Sequence, residues 1–229
     1  MTLHIGILVF PNVQQLDLTG PYEVFASIPG AKVHLIWKDR APIASATGLL
    51  LTPTMIFAEC PALDVLCVPG GKGINALLQD AEVLGFLRAQ AARARYVSSV
   101  CTGALVLGAA GLLNGRRATT HWNSHDLLAK FGAIPTHGRV VRDGNLFTAG
   151  GVTAGIDFGL TMVAELLGEA EAQAIQLGHE YAPSPPFQAG TPETAPPAVV
   201  AAARERVAAT RKEREALIDQ VATRFSKAP

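Results

Sequence analysis

Cys101 is the residue of this chain whose setting best suits chemistry. It ends a short apolar stretch, Tyr96-Val97-Ser98-Ser99-Val100, and runs directly into Thr102-Gly103-Ala104. A buried strand, a sharp turn bearing a nucleophile and a helix start of small residues together make a nucleophile elbow. That geometry lifts one side chain above the sheet edge, and Gly103 and Ala104 leave room for strand and helix to approach closely. Unpaired N–H groups and the dipole at the helix start favour negative charge. The pattern therefore predicts a thiol of lowered pKa and an anion stabilised as it forms. The plain alternative is a small buried cysteine, since free cysteine packs like an apolar residue.

Three other groups stand out. Pro69-Gly70-Gly71-Lys72-Gly73 follows a buried stretch, where strand-end loops of open α/β sheets form the ligand crevice. It lacks the Gly-Lys-Ser/Thr order of a nucleotide loop, and an ordinary strand-to-helix turn would also use these glycines. Asp17 is flanked by Leu16 and Leu18 just after the first strand, so partial burial should raise its pKa. A turn residue or helix cap is the simpler reading of Asp17. His121 and His125 have i, i+4 spacing, which on an α-helix places both imidazoles on one face. A metal site would need a third ligand and there is no glutamate between them, so packing beside a crevice is expected, with no metal.

These residues need a scaffold of alternating strands and helices. Strands are expected at 3–10, 32–37, 64–68, 96–100 and 117–120. Residues 43–46 and 49–52 read as a hairpin turning at Thr47-Gly48, and 139–141 with 146–148 flank a turn at Asp143-Gly144-Asn145. Helices are expected from Gly20-Pro21 through Ser27, over 74–93, from Gly103 through Ala110, from Asn123 to Lys130, and over 153–167 and 169–180. The alternation indicates an α/β fold with a mainly parallel sheet covered on both faces. Residues 182–197 form a proline-rich strap, and Pro197 to Phe225 reads as one charged amphipathic helix. Its Arg and Glu residues between 204 and 215 read as a solvated face with ion pairs along the helix. The organisation is thus a catalytic domain over 1–181 and a strap with a C-terminal helix over 182–229, packing on the same domain or on a partner subunit.

Composition narrows the class. Of 229 residues, 49% are apolar and 17% charged, and the formal net charge is zero. That describes a globular chain without the basic field of a general nucleic-acid or membrane-surface binder. Cys60, Cys67 and Cys101 are odd in number and lack framework spacing, which suggests reduced thiols and a cytoplasmic setting. The N-terminal residues lack the basic and apolar regions of a secretory signal. Apolar runs of roughly eight residues are too short to span a bilayer.

Taken together, the Asp17 segment, the Pro69-Gly70-Gly71 turn, the Ser99-Val100-Cys101-Thr102-Gly103-Ala104 elbow and the run from Gly111 to Trp122 resemble the ThiJ/PfpI superfamily. The resemblance covers roughly residues 3–180. Gln14 to Pro21, His34 to Lys38, Gly155 to Phe158 and the Glu180-Tyr181-Ala182-Pro183 tail with Pro185-Pro186-Phe187 are similar to its isocyanide hydratase branch. What this implies is a flavodoxin-like sandwich of the class I glutamine-amidotransferase type, acting as a homodimer without metal or cofactor on an isocyanide and water. It also implies Cys101 as nucleophile, Asp17 as acid and base, and Thr102 beside them, with the N–H groups of Gly71 and Thr102 stabilising developing charge. Peptidase members carry His after the nucleophile and many members carry Glu at the acid, whereas this chain has Thr102 and Asp17. Both departures agree with the hydratase branch. The rival readings are a glyoxalase, deglycase or peptidase of the superfamily, a thiol redox sensor, and the ligand-sensing module of AraC-type regulators. The last would need paired helix-turn-helix units, while the residues after 180 read as one loop and one helix.

Overall fold

The computed structural model describes residues 2–223. In chain order the strands are β1 (His4–Leu8), β2 (Lys32–Trp37), β3 (Ile43–Ala44), β4 (Leu50–Leu51), β5 (Met55–Ile56), β6 (Val65–Val68), β7 (Tyr96–Val100), β8 (Arg117–Ala118), β9 (Ile134–Pro135), β10 (Val140–Asp143) and β11 (Leu146–Ala149). The helices are α1 (Gln15–Ala26), α2 (Ile74–Leu77), α3 (Ala81–Ala91), α4 (Gly103–Ala109), α5 (Ala154–Leu167), α6 (Glu169–Gly178) and α7 (Pro197–Ala222). A 3-10 segment spans Trp122–Phe131.

Seven strands form one sheet in the order β10-β11-β7-β6-β1-β2-β5. All neighbours are parallel except the β10–β11 hairpin. Strand β1 is followed by β2 on one side, whereas β6 is followed by β7 on the other. Right-handed crossovers moving in opposite directions put α1 on one face and α2, α3 and α4 on the other. Helix α5 packs with α1 and α6, while α7 and the 3-10 segment pack with α4. The result is an α/β sandwich of the flavodoxin-like kind. The crossovers diverge between β1 and β6, and the strand ends there form a crevice. Residues just beyond β1, β6 and β7 are therefore the ones the topology gathers.

Strands β2 and β7 have the boundaries the sequence predicts, and the hairpins β3–β4 and β10–β11 turn where expected. Several elements differ. Helix α1 begins at Gln15, and Pro21 lies inside it. Helix α5 crosses there at close range: a Cβ on Gly155 would sit 3.0 Å from Pro21 Cδ, and one on Gly20 would sit 3.2 Å from Ile156 Cγ1. The helix expected over 74–93 is broken, since Asp80 accepts from the N–H groups of Glu82 and Val83 at 3.1 Å each and caps a new helix. The strand expected over 117–120 shrinks to β8, which pairs with β9 outside the main sheet. The short edge strand β5 has no two-residue alternation in sequence long enough to announce it.

The charged face of α7 is not simply solvated. Lys130 of the 3-10 segment pairs with Asp219 at 2.6 Å and Glu215 at 3.4 Å, and Arg211 pairs with Asp126 at 2.7 Å. The ion pairs cross to the neighbouring segment rather than running along the helix, because α7 lies against it. Arg214 is buried. The last residues expected in this helix, Arg224 and Phe225, lie outside the described residues. Among the described residues no helix is long and apolar enough to cross a membrane.

Candidate active site

The loops after β1 and β6 are stitched together before any reactive group is placed. Gln14 donates its N–H to Gly70 O at 2.9 Å, Gly73 donates to Asn12 O at 3.2 Å, and Val13 and Gly71 form an antiparallel bridge. Gly71 has φ of +129°, and a Cβ there would meet Gln14 N at 2.4 Å, so only glycine fits this crossing. This lattice fixes the start of α1, whose first turn carries Asp17.

Cys101 follows β7 with φ of +54°, a left-handed conformation that a non-glycine residue adopts at energetic cost. The surroundings hold it there. Its N–H donates to Gly150 O at 2.9 Å and Ala149 O at 3.1 Å, and its carbonyl accepts from the Thr120 hydroxyl at 2.7 Å. The turn leads at once into α4, as an elbow requires. Gly103 makes the turn feasible, since a Cβ there would lie 2.0 Å from Val68 O. We expect Gly103→Ala to force the end of β6 and the start of α4 apart. A loss of about 1–3 kcal/mol is expected in urea unfolding, with activity lost even where the fold survives. Unchanged stability would contradict this close approach.

Asp17 is fully buried, and its Oδ2 accepts the Gly70 N–H at 2.9 Å. Its Oδ1 is buried without a hydrogen-bond partner of normal geometry among the protein groups. Burial raises the carboxyl to about 7, opposed by the Gly70 N–H and by the Cys101 thiol. The thiol in turn is pushed up by burial and by the charge of Asp17, against the N–H groups of Val152 and Thr102, which favour the thiolate. The expected lowering of the thiol pKa by the helix end is thus outweighed by burial and by the neighbouring carboxylate. Thiol and carboxyl are one coupled pair, and above about pH 7 they hold one proton between them.

Thr102 stands between this pair and the glycine turn. Its Oγ1 accepts the Gly71 N–H at 3.0 Å and lies 3.4 Å from Gly71 O. In this state the Gly71 amide is committed to Thr102, whereas the N–H groups of Thr102 and Val152 face the sulfur. A Cβ on Gly70 would meet Thr102 Oγ1 at 2.6 Å and Asp17 Oδ2 at 2.9 Å, which shows how closely Asp17, Gly70 and Thr102 converge. Cys60 and Cys67 are raised by burial to about 11 and about 12, and neither has the elbow.

His121 and His125 do not share a face. A 3-10 segment turns every three residues, so i, i+4 spacing separates them. His121 caps the segment by accepting the Asn123 N–H at 3.3 Å, while His125 stacks on His137 with ring centroids 4.2 Å apart. His121 lies against Gly151, and its pKa is lowered by burial and by the charge of Arg214.

Two neighbours of the site are absent from the sequence reading. Val152, with φ of +24°, supplies an N–H to the sulfur, and nothing in its residue type announces that. Arg214 reaches Gly71 O at 3.3 Å from α7. Its signal was available, because Arg214, Ile218 and Val221 have i, i+4, i+7 spacing and all three are buried. An arginine on an otherwise apolar stripe marks a buried cation.

Comparison with known proteins bears on this geometry. The model of the DJ-1/PfpI family matches residues 4–165. The chain is 61% identical over 226 residues to an isonitrile hydratase of Pseudomonas putida, covering 99% of each chain. It is 32% identical over 181 residues to the HTH-type transcriptional regulator GbdR of Pseudomonas aeruginosa, covering 75% of this chain and 48% of the regulator. The crystal structure of a THiJ/PfpI family protein from Pseudomonas syringae superposes with a TM-score of 0.93 at 50% identity, covering 95% of this chain and 91% of that one.

Proposed function

The chain belongs to the DJ-1/PfpI family, and from that premise we propose that it hydrates isocyanides, R–N≡C, to N-substituted formamides with Cys101 as nucleophile and Asp17 as acid and base. The observation that carries the reaction is the 61% identity to an isonitrile hydratase across 99% of both chains. The coupled Cys101–Asp17 pair carries the division of labour, because the terminal carbon of an isocyanide must accept both a nucleophile and a proton.

In the productive microstate the sulfur is the thiolate and Asp17 holds the proton. The sulfur lone pair forms the S–C bond, and the Asp17 proton goes to the same carbon, giving the thioimidate R–N=CH–S–Cys101. The Asp17 carboxylate then takes a proton from water as the oxygen adds to that carbon. Nitrogen receives one proton, the C–S bond breaks to release R–NH–CHO, and the second proton of water restores Asp17. The N–H groups of Thr102 and Val152 favour negative charge on sulfur, both before attack and as it leaves. Thr102 and Gly71 hold each other in place beside them.

The peptidase reading is disfavoured by Thr102, which stands where a histidine base would be needed. The enzyme acts in the cytoplasm as a homodimer, and its proton and nucleophile come from side chains without a cofactor. Residues 2–181 form the catalytic unit, and the strap from 182 with α7 (Pro197–Ala222) completes it.

Cyclohexyl isocyanide, methylglyoxal and a short peptide, each offered to the purified protein, separate the readings. Formamide from the first and no turnover of the others is expected. Turnover of methylglyoxal or peptide without formamide would overturn the hydratase assignment.

A further inference from the structure

Arg214 is buried to 7% exposure on α7, while Arg204 and Arg206 of the same helix are exposed. Its guanidinium donates to three neutral acceptors on three elements: Asn75 Oδ1 at 2.9 Å, Ser124 Oγ at 3.4 Å and Gly71 O at 3.3 Å. Among the described residues it enters no ion pair. The adjacent Glu213 is held one step away, accepting from Asn75 Nδ2 at 3.0 Å. A buried charge without a counter-ion is expensive, and packing alone would favour an apolar residue on this stripe. The anions that favour its charge are Glu213, one step away, and Cys101 at the end of β7 once ionised.

We propose that Arg214 is a positioning residue for hydration: it holds the Gly71–Thr102 contact in register and supplies the positive charge that lets the buried Cys101–Asp17 pair carry a net negative charge. This rests on the hydratase reading given above. The path is short. Arg214 holds the Gly71 carbonyl, the Gly71 N–H holds Thr102 Oγ1, and Thr102 is the residue after the nucleophile. Asp17 from α1 acts directly on the thiol, Arg214 from α7 interacts with an ionised Cys101, and His121 at the start of the 3-10 segment faces Arg214. Around Arg214 itself, Arg211 disfavours its charge while Glu213 and an ionised Cys101 favour it. Helix α7 thereby becomes part of the active site.

The test measures the pH dependence of Cys101 alkylation by iodoacetamide, read on the Cys101 peptide by mass spectrometry, together with kcat and KM for cyclohexyl isocyanide. The proteins are wild type, Arg214→Lys, Arg214→Gln, Arg214→Met and Arg206→Gln as the control at an exposed position of the same helix. In Arg214→Met and Arg214→Gln the alkylation midpoint should rise by about one pH unit. Their kcat should fall more than about tenfold, with KM changed far less. Arg214→Lys should restore the midpoint but only part of kcat, since it keeps the charge and loses the planar fork. Arg206→Gln should leave both near wild type. If Arg214→Met does not fold, Arg214→Gln and Arg214→Lys carry the same comparison. An unchanged midpoint and kcat in any folded neutral variant overturns the proposal. Alkylation needs no turnover, so a wild type inactive on isocyanide would sink the hydratase reading and leave this shift still measurable.

Discussion

Cys101→Ala is expected to abolish formamide production, with a loss of roughly a million-fold, the scale seen when a covalent nucleophile is deleted. The expectation rests on placement as well as on residue type. Cys101 alone among the three cysteines stands at φ of +54° on a strand-to-helix turn, with backbone N–H groups aimed at its sulfur. Cys60 and Cys67 lie outside the elbow, and no backbone N–H favours the thiolate of either. Their alanine variants should therefore keep most activity, with Cys67→Ala showing chiefly the stability loss of a vacated core site. Initial rates on cyclohexyl isocyanide check all three. Substantial turnover by Cys101→Ala would remove covalent catalysis from the account.

Asp17→Asn should lower kcat by roughly 10²–10⁴-fold, the usual contribution of a general acid and base. Asparagine can still accept the Gly70 N–H, so the turn survives while the mobile proton is lost. Removing the carboxylate also removes a charge that pushes the thiol up, so Cys101 alkylation should hold or accelerate at a given pH. Slow catalysis with undiminished thiol reactivity separates this role from general damage. The pH profile carries the same signature. With the carboxyl raised to about 7, the pair takes up a second proton below that value. Wild-type kcat/KM should therefore rise with pH through about 7, and this limb should vanish in Asp17→Asn. Stability follows with a definite sign. A carboxyl whose pKa is raised on folding contributes stability that is present at low pH and lost as pH rises through about 7. Asp17→Asn, neutral throughout, should gain Tm relative to wild type near pH 8 and much less near about pH 4. A variant with wild-type kcat would take Asp17 out of the mechanism.

The sequence was informative where one residue type answers one backbone demand. Gly103 and Gly71 are required by contacts of 2.0 Å and 2.4 Å that any Cβ would make, and both lie in motifs that stand out by composition. The parallel strands were readable because they are short, apolar and bounded by turns. Asp80 was harder, since the apolar spacing continues across it and only its capping bonds reveal the break. The helix expected from Asn123 to Lys130 is a 3-10 segment, so the i, i+4 spacing of His121 and His125, which implies a shared face only on an α-helix, separates them. The direction of the thiol shift was also hidden. A helix end argues for lowering, but the depth of burial and the charge beside it come from tertiary packing. Arg214 reads as one of several surface charges unless its spacing with Ile218 and Val221 is noticed, and its acceptors come only from the return of α7 onto the body of the fold.

The central claim is that hydration passes through a covalent bond to Cys101, and a rapid acid quench of one turnover tests it directly. Enzyme in excess is mixed with cyclohexyl isocyanide, quenched over a time series, and examined by intact mass and peptide mapping. A transient mass gain equal to one whole isocyanide is expected on the Cys101 peptide, decaying as fast as formamide appears. Formamide formed at the full rate with no adduct on that peptide, or with the adduct on Cys60 or Cys67, would contradict it.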